Sequence, residues 1–209
     1  MANDNSIPSA TLSRLAILYQ ALLDAKTRDV DCLSSAQIGA LTGIPAAQVR
    51  KDLSSFGEHG VPGVGYRVDD LLASIARCLK IDQTRRFALV GAGRLGQALA
   101  SYTGLAKMNF ELVMAFDNDP AKIGKHAGDA LIEPVTEMPA RLKQEAIKVI
   151  VLTVPASAAQ ATAEAAISGG ARWILNFTPA ILKVPDDCIV RDVSFTNEFA
   201  VLAHYMEEG

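Results

Sequence analysis

The stretch 89–102, "LVGAGRLGQALASY", decides the fold. It continues from "RRF", and "RRFALVGAG" reads as a buried parallel strand that runs straight into a glycine turn. Gly91, Gly93 and Gly96 stand at the G-x-G-x-x-G spacing. The first glycine permits the tight turn, the second a close backbone approach to a pyrophosphate, the third close packing of helix on strand. The helix that follows offers unpaired N–H groups and a partial positive charge to phosphates. "FELVMAFDNDP" is a second strand ending at Asp117, 21 residues past Gly96, where an acid accepts from ribose hydroxyls. A carboxylate there repels a 2′-phosphate, which favours NAD over NADP. A lone glycine motif is a weak signal. Strand, motif, helix, strand and acid in that order form a strong one for a dinucleotide. Flavin adenine dinucleotide and coenzyme A are the remaining ligands the pattern admits.

The α/β alternation continues through "AIKVIVLTVP", the helix "SAAQATAEAAISGG" and the strand "RWILNFTP", with a short strand near "CIVRDV". The implied class is α/β, with a Rossmann-like parallel sheet. The expected cofactor site is Gly91, Ala92, Gly93, Arg94, Leu95 and Gly96, with Asp117, and with Thr153, Pro155 and Thr178 at the carboxyl edge of the sheet. Thr and Pro at strand ends are also ordinary loop punctuation. What is missing is chemistry. About 20 residues follow the sheet, too few for a substrate domain. No Tyr-x-x-x-Lys occurs at Tyr19, Tyr66, Tyr102 or Tyr205, and His126 and His204 have no triad spacing. No residue stands in a catalytic pattern, and the domain reads as binding its cofactor without turning it over.

The chain has 209 residues, half of them hydrophobic, and a formal net charge of -3. The first 80 residues hold eight Lys/Arg and eight Asp/Glu, so any nucleic-acid contact must come from a local cluster. Cys32, Cys78 and Cys188 are scattered and form no metal-ligand spacing, so neither a zinc site nor a disulfide framework is expected. The N-terminus lacks a signal-peptide pattern and no apolar run is long enough to span a membrane, which points to the cytoplasm.

Upstream of the sheet, "TLSRLAILYQALLD" (11–24) places Leu12, Leu15, Tyr19, Leu22 and Leu23 at helical spacing. A second helix starts at Ser34, whose capping box is completed by Gln37, and stops at Gly43. Pro45 is expected at the first position of a third helix, "PAAQVRKDLSSFG". Val49, Leu53 and Phe56 lie within about 60° of one another on its wheel. The opposite face carries Ala47, Lys51 and Ser54, flanked by Arg50, Gln48 and Ser55. Small and cationic residues on the second of two short helices make a helix-turn-helix. An ordinary solvated helix face has the same composition. "GEHGVPGVGYRV" (57–68) suits a hairpin wing, with His59 near a phosphate or merely exposed, and "VDDLLASIARCLK" a connecting helix. Finally, "SFTNEFAVLAHYMEEG" aligns Phe195, Phe199, Leu202 and Met206 in one stripe, which must pack on its own sheet or on a second subunit.

Winged helix, NAD fold and terminal helix together resemble the Rex family of redox-sensing transcriptional repressors. The likeness covers nearly the whole chain and is carried by "IPAAQVRKDLSSFGEHG" with "GVGY", by "VGAGRLGQAL" with Tyr102, by "FDNDPAKIG" and by "LNFTPAIL". It implies a homodimer that binds a palindromic operator, is released by NADH with NAD+ competing, and swaps its C-terminal helix. It implies a winged-helix domain over 1–80, a Rossmann NAD(H)-binding domain over 81–192 and a dimerisation helix over 193–209. Ser34, Ala47, Gln48, Arg50, Lys51, Ser54, Ser55 and His59 are then the candidate DNA contacts. Tyr102 and Phe195 join the cofactor site. The chain departs from the family at three places. Val61-Pro62 replaces a basic wing, and Arg94 stands where relatives often carry Asn. Ser194 replaces an acid that in relatives pairs with residues matching Tyr102 and Arg14. A small NAD-dependent oxidoreductase, or a cofactor-binding partner protein without DNA, are the readings from other classes.

Overall fold

The computed structural model describes residues 7–57 and 60–206. The chain divides into two units, one ending at Gln83 and the other beginning at Thr84.

The first unit contains α1 (Ser9–Lys26), β1 (Cys32–Leu33), α2 (Ser35–Thr42), α3 (Ala46–Ser54), β2 (Tyr66–Arg67) and α4 (Val68–Leu79). Its core is aliphatic: Leu15, Leu18 and Leu22 from α1, Ile38 from α2, Val49 and Leu53 from α3, and Leu71 and Ile75 from α4 are all buried. The capping box at α2 is formed, with the Gln37 N–H on Ser34 Oγ at 3.2 Å and the Ser34 N–H on Gln37 Oε1 at 2.8 Å. Gly43 closes α2 in the left-handed region, at φ 72°. Pro45 stands one place earlier than expected. Its backbone is extended, so it caps α3 through its carbonyl, which accepts the Val49 N–H at 3.0 Å. The hairpin is tighter than a ladder of strands: Val61 and Gly65 exchange backbone bonds at 2.8 Å around a Pro62-Gly63 turn with Gly63 at φ 78°. Behind the tip, β2 pairs antiparallel with β1, Leu33 opposite Tyr66. The two-residue β1 has no periodicity to betray it.

The second unit is built on a seven-stranded sheet. Its strands are β3 (Arg85–Val90), β4 (Phe110–Asp117), β5 (His126–Ala127), β6 (Ala130–Pro134), β7 (Val149–Leu152), β8 (Trp173–Asn176) and β9 (Ile189–Asp192). Their order is β5-β6-β4-β3-β7-β8-β9, parallel except for β5. The chain therefore starts at the centre, winds to one side, then crosses back and winds to the other. The reversal lies between β3 and β7, which is where a doubly wound sheet opens a crevice for a ligand. Helices α5 (Arg94–Ala100), α6 (Gly104–Lys107), α7 (Met138–Gln144) and α8 (Ala156–Ser168) connect the strands. Val90, Phe116, Ile150 and Leu152 pack with Met138, Leu142, Ala159 and Ala163 in one cluster, and Phe87, Leu89, Ala115 and Ile132 in another. That double burial explains the unbroken apolar runs of β3 and β7.

The last helix, α9 (Phe195–Met206), has no buried residue. Its stripe is open: Phe195, Phe199, Leu202 and Met206 are 56, 69, 52 and 74% exposed. Among the described residues, no helix is long and apolar enough to cross a membrane.

Candidate dinucleotide and nucleic-acid sites

The glycine loop joins the end of β3 to α5 at the point where the strand order reverses. Gly91 has φ 97°, and a Cβ there would meet the Thr153 carbonyl oxygen at 2.8 Å. A Cβ on Gly96 would stand 2.0 Å from the Gly91 carbonyl oxygen, so helix and strand approach as closely as the motif demands. Gly93 differs: nothing lies within 4 Å of the position its Cβ would take. The space in front of Gly93 is open, and a side chain there would occupy it. The first N–H groups of α5 have no partner within that helix. This fits a pyrophosphate. Arg94 is exposed, Leu95 half-buried and Ala92 buried around the loop.

Asp117, at the end of β4, is buried. Its carboxylate accepts the Ala92 N–H at 2.7 Å, the Asp119 N–H at 2.9 Å and the Lys122 Nζ at 3.0 Å. Burial disfavours its charge, but the Asp119 N–H, the Lys122 ammonium and the Ala92 N–H together hold its pKa below the ordinary carboxylate value. A carboxylate has about four acceptor positions, so one remains for a ribose hydroxyl. Asp117 therefore fastens the glycine loop as well as offering an acceptor. Lys122, half-buried beside it, is a candidate site residue that sequence reasoning missed.

The Thr153 hydroxyl donates to the Gly91 carbonyl at 2.6 Å, so it shapes the loop. Pro155 is exposed and caps α8. Thr178 is buried, its hydroxyl donating to Asn176 Oδ1 at 2.8 Å. Tyr102 is largely exposed beside Gly104, whose missing side chain makes room for its ring. Phe195 stacks at a tilt on Phe177, ring centres 6.4 Å apart.

In the first unit, Ser34, Arg50, Lys51, Ser54, Val61 and Val64 line an open groove between α3 and the wing. Ala47, Arg50, Lys51 and Ser54 are exposed along α3. Arg50 Nη1 donates to Ser35 Oγ at 2.9 Å, which directs the guanidinium along the α2 side of the groove. The Ser54 and Ser55 hydroxyls are turned back on the Lys51 and Asp52 carbonyls, at 2.9 and 2.6 Å. The Gln48 amide is engaged elsewhere, donating to Asp52 Oδ1 at 2.9 Å. His59 lies outside the described residues.

Asp52 is the second residue the sequence did not announce. It is buried, 2% exposed. Arg14 of α1 clamps it with two donors, Nε at 2.5 Å and Nη2 at 2.8 Å, and Thr11 adds a hydroxyl at 3.4 Å. The Arg14 guanidinium holds the Asp52 carboxyl below its ordinary range against the cost of burial. On the wheel Asp52 lies about 40° from Phe56, at the margin of the buried face, and that was the available signal. Arg14 has its partner within its own unit. Ser194 caps α9 by accepting the Asn197 N–H at 3.2 Å, and shares a bond with Thr196 Oγ1 at 2.9 Å.

Two family profiles match. Residues 6–54 match the family described as putative DNA-binding protein N-terminus, and residues 82–180 that described as CoA binding domain. The chain is 39% identical over 196 residues to the redox-sensing transcriptional repressor Rex of Carboxydothermus hydrogenoformans, covering 94% of each chain. It is 39% identical over 200 residues to the same repressor of Syntrophomonas wolfei, covering 96% of this chain and 95% of the relative. Among solved structures, it superimposes on RSP in complex with β-NAD+ and operator DNA with a TM-score of 0.89 at 32% identity, over 97% of this chain and 93% of that one. The match to RSP in complex with β-NADH has a TM-score of 0.87 at 31% identity, over 97% and 95%.

Proposed function

The chain belongs to the Rex family of redox-sensing transcriptional repressors, and from that membership we propose that it binds operator DNA through α3 and its wing, and takes NAD+ or NADH at the crevice between β3 and β7. Its relatives are redox-sensing transcriptional repressors, so the dinucleotide sheet is read as a sensor of its cofactor. The observation that carries the reading is the pairing in one chain of two prepared surfaces. One is the cationic outer face of α3 beside a groove. The other is a glycine loop whose central residue faces open space. Bound dinucleotide supplies a ring whose charge and pucker change with redox state.

We read residues 1–80 as the winged-helix DNA-binding domain, 81–192 as the NAD(H)-binding domain and 193–209 as the dimerisation helix. Two copies joined by α9 would present two recognition helices to the half-sites of a palindrome. The Gly loop residues Gly91 to Gly96 carry the pyrophosphate, Asp117 with Lys122 the ribose end, and Thr153 and Thr178 hold the edge in shape. Lys51 and Arg50 face the duplex, with Ala47 small enough to let the helix approach. Gln48 and Ser55 serve the helix itself, through Asp52. The wing tip, Val61 and Val64, offers van der Waals contact in place of charge. A repressor acting on operator DNA works in the cytoplasm.

Lys51→Ala and Arg50→Ala test the DNA face. A base contact is worth about 1–3 kcal/mol, and a phosphate contact shows as a shallower salt dependence. Each variant is expected to weaken operator binding, measured by fluorescence anisotropy, with NADH affinity unchanged. Wild-type operator affinity in both variants would remove α3 from the interface.

A further inference from the structure

We propose that Asn176 and Asp192 are a positioning pair that ties the loop after β8 to the base of α9, so that occupancy of the sheet edge is registered in the tail helix. The proposal rests on the function proposed above, for the ligand at the edge. Asn176 is fully buried at the end of β8 and uses its whole hydrogen-bonding capacity. Its amide donates to Asp192 Oδ1 at 2.7 Å and to the Ala180 carbonyl at 3.0 Å. Its oxygen accepts the Thr178 N–H at 3.0 Å and the Thr178 hydroxyl at 2.8 Å. One side chain thereby shapes the loop 177–180 from within and grips the neighbouring strand.

The grip continues through the backbone. Asn176 lies opposite Asp192 in the β8–β9 register, and its carbonyl accepts the Val193 N–H at 2.8 Å. Ser194 follows and caps α9. From the loop side, the Phe177 ring meets Phe195, the first residue of α9. The loop is therefore joined to the β9–α9 corner twice, by a buried polar knot and by an aromatic contact on the adjacent residue. The loop belongs to the carboxyl edge, where a doubly wound sheet receives its ligand. The corner leads into a helix with no buried residue within its own chain, so its base is where it is held to its own sheet. A fully satisfied buried amide holds one geometry, because breaking any bond leaves a donor or acceptor dry. Asp192 acts through Asn176, whose amide it accepts, and is a positioning residue.

The test uses the full-length protein and NADH as the probe. Hydrogen exchange of residues 195–206 is measured with and without saturating NADH, for wild type, Asp192→Ala and Asp192→Asn. The wild-type tail is expected to change its protection when NADH binds. Asp192→Ala is expected to lose that change while its NADH affinity stays within about threefold of wild type. Asp192→Asn, which keeps an acceptor oxygen for Asn176, is expected to retain it. An identical change in wild type and Asp192→Ala would overturn the proposal, as would an unchanged wild-type tail. A loss of about tenfold or more in NADH affinity for Asp192→Ala would also overturn it, since Asp192 would then serve binding. Operator release, read on the same wild-type protein, judges the proposed function separately.

Discussion

Gly93 and Gly96 differ by what a side chain would meet: open space at the first, a carbonyl oxygen at 2.0 Å at the second. Their variants should therefore fail differently. Gly93→Val has room and an extended backbone, φ -76° and ψ -168°, so its melting temperature should stay near wild type while NADH binding is lost. Gly96→Ala forces backbone apart and should cost about 3 kcal/mol or more of stability. Calorimetry with NADH titration separates the two, and a Gly93→Val protein that binds NADH normally would refute the pyrophosphate role. These glycines and Asp117 were legible because the motif encodes them as a local spacing. Other residues were not, because no motif or period encodes their pairing. Lys122 reaches Asp117 across five positions, Asn176 reaches Asp192 across 16, and Arg14 reaches Asp52 across 38. No periodicity records such pairs.

Among the elements, α1 and α3 are tied by the Arg14–Asp52 pair, on the side of α3 away from the exposed Lys51 and Ser54. Because the Asp52 pKa is depressed in the folded state, its contribution is present above the unfolded carboxylate pKa of about 4 and is lost as pH falls through the folded value. Thermal unfolding followed by circular dichroism should therefore show stability falling on the acid side. Asp52→Asn should melt at least about 4 °C lower at neutral pH, with a shallower acid dependence. Asp117 titrates with the same sign, so a residual slope should persist. Equal acid slopes in both proteins would show that Asp52 carries no such load. The helices with local signals, α2 with its capping box and α4 with its apolar face, were legible at the sequence level. The pairing of β1 with β2, the β5–β6 turn and α7 were not. Two- to five-residue strands are too short for a period, and α7 is a seven-residue turn entered through Pro139.

For the whole molecule, the open apolar stripe of α9 asks for a partner surface, and a second copy of the chain supplies one in the proposed dimer. Deleting residues 194–209 should leave monomers in sedimentation equilibrium, and a stable dimer after that truncation would take the tail out of the assembly. A dimer held at its tails can respond to redox state only if NADH favours one arrangement of the pair over the other, and the coupling equals that difference in affinity. The most direct measurement is operator affinity of the intact protein with saturating NADH, with saturating NAD+ and with neither. Affinity with NADH should be weaker by about 5–150-fold, equivalent to about 1–3 kcal/mol of coupling. Equal affinity in all three conditions would contradict redox sensing by this chain.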